Sequence, residues 1–252
     1  MLGGSNISLQ YNAAMLGVHL EDISALIISH GHDDHMGSVT EILHQCTKPV
    51  RFYIHPGAFS RRRKCLSDES SIEIEPVDIN SLISAGAEFY LTPNPTTIWE
   101  NRILITGEIE RSSGFEVTNP IYFIERSRKW TSDSFLDDQA VVFNLKGKGL
   151  VVVTGCAHAG IINALQYARK ITGVDQVYAV IGGFHLSGSF FRQVIGSTVA
   201  AMKAIHPRYI IPLHCTGWEA MTRFAEEMPD QFILNTVGTT YQFGEQFALM
   251  RG

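Results

Sequence analysis

The chain reads as an α/β protein whose sheets are covered by helices, and three observations point there. From Gln139 onwards, apolar β-branched runs alternate with segments of helical spacing, the pattern of strands packed under helices. Four apolar runs stop abruptly at a histidine, namely His30, His158, His185 and His214, and loops at strand ends are where α/β proteins put their chemistry. Residues 30–35 spell His-Gly-His-Asp-Asp-His, a density that chance does not supply in a chain with 10 histidines.

Taken in order, residues 23–29 (ISALIIS) form a short β-rich run ending at His30 and Gly31. The stretch from Met36 to Cys46 has helical spacing, with Val39, Ile42 and Leu43 on one face, so the histidines lie on a strand-to-helix loop. VRFYIHP (50–56) predicts another strand, followed by a short basic helix carrying Arg61, Arg62, Arg63 and Lys64. Residues 66–138 hold strand-like pieces at Glu88–Leu91, Arg102–Ile105 and Pro120–Glu125 between polar loops, and read as an elaborated insertion covering the active site. QAVVFNL and GLVVVTG pair across the turn at 146–149. Helices at 161–171, 191–205 and 218–228 then alternate with strands at 176–181 and 209–213. QFILNT and TTYQF predict two closing strands.

A chain of 252 residues can bury a full core as one domain. Its net charge of −5 gives no general affinity for nucleic acid. The basic run at 61–64 is then either a solvated face or a contact for an anionic group. Cys46, Cys65, Cys156 and Cys215 lie far apart with no CxxC pair, which suits a reducing compartment. The opening MLGGSNISLQ has neither a basic nor an apolar leader segment, and no stretch is long enough to span a bilayer. The expectation is a cytoplasmic protein acting on a small molecule, with no membrane or nucleic-acid partner.

Histidine nitrogens and carboxylate oxygens are the natural donors for zinc, and serve iron or manganese too. His30 and His32, two apart, can present their rings to one ion, while Asp34 and His35 can reach a second a few ångströms away. Two such ions can share a hydroxide and make a nucleophile at neutral pH. Beside this loop, His158, His185 and His214 become candidates too, whereas His19, His44 and His206 lack the context and read as surface residues. His55 reads as a neighbour of the pocket.

HGHDDHMGS resembles the HxHxDH signature of the metallo-β-lactamase superfamily. TGCAHAGIIN (154–163), IGGFHLSG (181–188) and PLHCTG (212–217) resemble one branch of it, as do ITGEIERSSGFE (105–116) and SFLDDQAVVF (134–143). That branch includes metal-dependent hydrolases and the archaeal 7,8-dihydropterin-6-methyl-4-(β-D-ribofuranosyl)-aminobenzene-5′-phosphate synthase. The resemblance implies an αββα sandwich with a dinuclear site on one edge, holding two divalent ions, zinc first and manganese or iron as alternatives. By position, His30, His32 and His158 would hold one ion, and Asp34, His35 and His214 the other. Two departures stand out. The superfamily's bridging aspartate in a Gly-Asp turn is replaced by Gly155-Cys156. Either the Cys156 thiolate ligates, or Cys156 is a small buried residue and His158 supplies the ligand; the second is favoured. Asp137 and Asp138 stand where a further histidine is usual, to complete a metal shell or to cap a strand. MLGGSN reads as starting at a turn that relatives reach only after several strands, so the first strands are expected to be missing and a second subunit could cover the exposed edge.

Three functions follow. The first is hydrolysis of an ester, lactone, amide or phosphoester by a metal-bound hydroxide, with Asp34 orienting the nucleophile and His185 donating a proton to the leaving group. The second is a transferase like the archaeal synthase, in which Arg111 and the 61–64 run bind a phosphate. The third is a metal-binding sensor without turnover. Arg111 and Thr216 are the candidate substrate contacts.

Overall fold

The computed structural model describes residues 6–67, 69–243 and 247–250. Helix α1 (Asn6–Met15) leads to strand β1 (Ala25–Ile27), the short helices α2 (Asp33–Met36) and α3 (Val39–Gln45), and strand β2 (Val50–Ile54). Strands β3 (Arg62–Cys65) and β4 (Ser71–Ile74) precede helix α4 (Ile79–Ser84) and strands β5 (Ala87–Leu91), β6 (Thr96–Ile98) and β7 (Ile103–Ile105). Next come β8 (Tyr122–Arg126), β9 (Lys129–Ser132), β10 (Ala140–Leu145), β11 (Gly149–Thr154) and helix α5 (Ile161–Thr172). The chain continues through β12 (Val177–Gly183), α6 (Arg192–Ile205), β13 (Tyr209–Leu213), α7 (Trp218–Glu227) and the pair β14 (Thr240–Phe243) and β15 (Phe247–Met250).

Strands β1, β2 and β5 form a parallel sheet whose central strand β2 packs on both faces, while the edge strand β5 is largely exposed. Alternation along β2 serves the two faces. Phe52 and Ile54 pack with Val39, Leu43 and Leu82 of α3 and α4, while Tyr53 meets Ile98 and Ile105 of a second sheet. That second sheet has the order β13-β12-β11-β10-β7-β6, parallel from β11 to β13 and antiparallel beyond. Its outer face, with Leu150, Val152, Val180 and Ile210, packs under Leu165, Val199 and Phe224 of α5, α6 and α7. The layers are therefore helix, sheet, sheet, helix. Strand ends of both sheets meet at one edge, where the histidine-bearing loops lie.

The structure changes three expectations. The segment 66–138 is not one insertion: it gives β5 to the first sheet and β6 and β7 to the second, and only β4, β8 and β9 join β3 in a separate antiparallel sheet, β4-β3-β8-β9. The basic run is a strand rather than a helix. Its side chains alternate between faces and find partners across the strands, Arg61 on Glu73, Glu75 and Glu125, and Arg63 over the rings of Phe123 and Trp130. QFILNT forms no strand and makes only a bridge from Phe232 to Ile210. Residues 1–5, on which the expectation of missing first strands partly rests, lie outside the described residues.

Arg62 is the largest fully buried side chain, at 1% exposure. Its Nε donates to Asp133 Oδ2 at 2.8 Å and its Nη2 to Asp137 Oδ1 at 2.6 Å, tying the separate sheet to the sandwich. Replacing one member of such a group strands its partners. Arg62→Met should destabilise the protein by about 3–5 kcal/mol, because two buried carboxylates lose their counter-charge. Urea unfolding would measure it, and a loss near zero would contradict the buried network.

Candidate metal centre

The loop after β1 is held before any ligand arrives. Ile28 N donates to Tyr53 O at 2.9 Å, and Gln139 donates its backbone N to Ser29 O and its side-chain amide to Ile28 O. Gly31 is needed for close approach: a Cβ there would lie 2.1 Å from the Ala58 carbonyl oxygen. Gly31 N donates to Asp137 Oδ2 at 2.8 Å, so the Arg62 network fixes the middle of His-Gly-His. Gly155, at the end of β11, lets that strand come up against the same loop, since a Cβ would lie 2.1 Å from Ser29 Oγ. Ser29 Oγ in turn lies 3.1 Å from His30 Nδ1 and 3.3 Å from His35 Nδ1, leaving their Nε2 atoms to face His158 and Cys156.

The other ligand candidates come from the ends of β11, β12 and β13. His30, His32 and His158 form one group whose donor atoms lie within 4.8 Å of one another. Asp34, His35, Cys156 and His214 form a second such group, and Cys156, His158 and His185 a third that overlaps both. His158 Nε2 is 3.2 Å from His30 Nε2, and His214 Nε2 is 3.2 Å from Asp34 Oδ2. Cys156 Sγ lies 3.2 Å from His35 Nε2. Cys156 is thus not a mere filler beside His158: both residues face the cluster, with the sulfur between the two donor groups. Ring contacts hold the set, with Phe135 stacked on His158 at 4.2 Å and Tyr122 on His32 at 5.3 Å.

The electrostatics suit cations. Burial pushes the basicity of His30 and His158 well below the ordinary histidine range, and that of His32 down to about 3. These rings are neutral at pH 7, so no proton must leave before a metal binds. His32 Nε2 is buried without a hydrogen-bond partner, which is costly for a polar atom unless something else occupies its lone pair. A divalent ion is what a neutral, partnerless imidazole nitrogen among others fits. Burial would raise the Asp34 carboxyl, but hydrogen bonds from His214 and His35 outweigh it and hold Asp34 well below the usual range. That same bond raises His214. Cys156 is pushed up, first by its hydrogen bond to Cys215 and then by burial, while Cys215 is drawn down to about 5.

Other expected residues sit elsewhere. Asp137 and Asp138 lie in none of the ligand groups. Asp137 braces Gly31, and Asp138, pushed up to about 7 by complete burial, accepts from Ala159 N at 2.9 Å. Arg111 gives its guanidinium to the carbonyls of Ala159 and Ser134, so it shapes the loop carrying His158 and does not line the cleft. Thr216 is fully buried, its hydroxyl donating to Leu213 O and accepting from Phe184 N, which makes it a turn residue rather than a substrate contact. His55 is buried away from the cluster against Gly57 N and Glu108. His19, His44 and His206 are exposed. The cleft over the cluster, about 370 Å³, is lined by His32, Asp33, Asp34, His158, His185 and His214, and also by Lys64, Ile72, Ile74 and Tyr122 of the separate sheet. No periodicity flagged Tyr122. Lys64 was visible only as part of the basic run.

Residues 4–100 match the model of the metallo-beta-lactamase superfamily. The chain is 30% identical over 230 residues, 88% of its own length and 76% of the relative's, to the 7,8-dihydropterin-6-methyl-4-(beta-D-ribofuranosyl)-aminobenzene-5′-phosphate synthase of Methanocaldococcus jannaschii. It is 25% identical over 236 residues, 94% of its length and 84% of the relative's, to an uncharacterized protein of the same archaeon. The crystal structure of a metal-dependent hydrolase of the beta-lactamase superfamily superposes with a TM-score of 0.75, over 92% of this chain and 83% of that one, at 27% identity.

The two donor groups make separable demands on metal content. Incubated with Zn²⁺ and desalted, the protein should retain about two ions, the number such paired sites hold. His32→Ala and Asp34→Ala should each release one ion with the far-UV circular dichroism unchanged, since His32 precedes and Asp34 lies in the one-turn helix α2, and neither belongs to an apolar core cluster. Elemental analysis would read the stoichiometry, and full retention in either variant would remove that residue from the ligand set.

Proposed function

Because the chain belongs to the metallo-β-lactamase superfamily, we propose that it is a dinuclear metal-dependent hydrolase of a small ester, lactone, amide or phosphoester. The observation that carries this reading is the pair of donor groups joined through Cys156 at the floor of one open cleft. Divalent ions bound there would polarise the scissile carbonyl or phosphoryl oxygen and lower the pKa of water.

The protein's own residues supply position and protons. Asp34 carries a carboxylate at the cleft floor, 41% exposed and fixed by His214 and His35, so it can accept a hydrogen bond from an attacking water and aim it. His185 sits on the far side of His158, ring centroids 4.1 Å apart, and faces the cleft. Its φ of 48° holds it off the end of β12 in a conformation that side chains seldom adopt. From there it can give a proton to a leaving group. The buried Phe135 and Leu186 and the half-buried Tyr122 limit water around the cluster.

A second reading is favoured by the 30% identity to the archaeal synthase. In it the same cleft would join a dihydropterin carrying a leaving group on its methyl carbon to a ribofuranosyl-aminobenzene phosphate, the displaced group departing with the electrons of its bond, and metals held there would supply charge stabilisation. The two readings separate in one experiment. Metal-loaded protein is given p-nitrophenyl esters, phosphodiesters and lactones in one arm, and the pterin and arylamine partners of that product in the other. Turnover in the first arm alone supports the hydrolase; product in the second alone replaces it with the synthase.

His185→Asn should keep both ions and lower kcat by about 10²–10⁴-fold, the range for a lost general acid. The loss should be smaller for substrates with good leaving groups such as p-nitrophenol. Loss of an ion together with activity would make His185 a ligand instead.

A further inference from the structure

The basic run puts four cations on adjoining positions, and two of them are matched by carboxylates. Arg61 reaches Glu73 at 2.7 Å and also Glu75 and Glu125. Arg62 is sealed between Asp133 and Asp137, and Arg63 lies 4.7 Å from the centre of the Trp130 ring. The Lys64 ammonium is 5.7 Å from the centre of the Tyr122 ring, and it has no ion-pair partner among the described residues.

Strand geometry sets where Lys64 points. It stands two residues from Arg62, so the two share a face of β3. In register it lies between Ile72 of β4 and Tyr122 of β8, and all three line the cleft that holds His32, Asp34 and His158. Ile72 is 54% exposed there, an apolar side chain at the mouth with nothing covering it. The carboxylates of the same cleft are Asp34, held by His214 and His35, and Asp33 at the rim. Neither is within ion-pair distance of Lys64.

We propose that the row Ile72–Lys64–Tyr122 is the substrate-recognition wall of the cleft, with Lys64 binding a carboxylate or phosphate on a substrate whose aromatic or apolar part lies against Tyr122 and Ile72. The proposal deepens the hydrolase reading by naming its substrate class, and it rests on that reading only for the bond that is cleaved. An ammonium half-shielded by an aromatic ring binds an anion more strongly than one in open water. The apolar row beside it gives area that a small inorganic ion cannot use.

The test reads binding rather than turnover. Phenylphosphonate, benzoate and the uncharged benzyl alcohol are titrated by NMR into metal-loaded full-length wild type, Lys64→Met and Lys64→Arg. Lys64→Met should weaken the anions about tenfold more than benzyl alcohol, and Lys64→Arg should restore most of the difference, as for one charge-assisted contact. The anion that loses more identifies phosphate or carboxylate as the preferred group. Absence of anion binding by the wild type, or an equal change for all three probes in Lys64→Met, overturns the proposal. Failure here leaves the hydrolase assays untouched, and failure of every hydrolase assay leaves this binding difference to stand.

Discussion

The guanidinium of Arg62, buried between two carboxylates, is the interaction from which the rest of the site hangs. A charge taken wholly out of water is tolerated only when its donors are all engaged. Here Nε and Nη2 meet Asp133 and Asp137, and the carbonyls of Gly57 and Ala58 take up remaining donors at 3.3 and 3.5 Å. Each carboxylate then passes the constraint on. The second oxygen of Asp137 holds Gly31 N, at the centre of His-Gly-His, and that of Asp133 holds Phe135 N at 2.8 Å. Phe135 lies flat on His158, with 8° between the rings. One buried cation therefore sets both the loop after β1 and the ring from the loop after β11.

Such bracing is needed because the cluster is unfavourable by itself. Imidazole rings from loops nearly 130 residues apart face each other across 3.2 Å, buried, with basicity depressed well below the ordinary range. Nothing in apolar packing would choose that arrangement. The sandwich core holds the strand ends in place, and the polar network then aims the side chains. The apolar core, with Leu150, Val180 and Phe224, carries the sandwich, Ser29 serves the site geometry, and the Arg62–Asp137 pair serves both.

The sequence made the sandwich legible where periodicity was strong. The alternating half from Gln139 appears as β10 to α7 within one or two residues of its expected bounds, because each element buries a regular apolar face. Within 66–138 the strand-like pieces at 88–91, 102–105 and 120–125 appear as β5, β7 and β8, but their sheets were not legible, since β5 pairs with β2, β7 with β10 and β8 with β3, which no local pattern reveals. The run at 61–64 misled because four charges in a row look solvated, whereas a strand can bury one at every second position if carboxylates wait opposite. Of the site, the histidines were legible from where apolar runs stop. Asp137 and Asp138 were noticed but not placed, because a carboxylate that ligates and one that braces a backbone amide look alike in sequence. Thr216 and Arg111 were assigned to substrate for their polarity, and the fold uses that polarity internally.

The two donor groups are unequal, and the inequality bears on how the cleft works. His30, His32 and His158 are all buried and neutral. Such a set would leave a bound ion its full charge. The other group includes an ionised carboxylate, Asp34, and the partly exposed His214. Its donors cancel part of a cation's charge and stand where the cleft opens. On the proposed reading, substrate oxygen that gains charge would be drawn toward the more positive, enclosed group. The wall of β3, β4 and β8, with Lys64 on it, borders the same cleft. A substrate of the proposed class would then lie with its reacting oxygen toward the buried histidines and its distal anion toward Lys64. The separate four-stranded sheet would set that direction, and it is the part of the chain that Arg62 fastens to the metal loop.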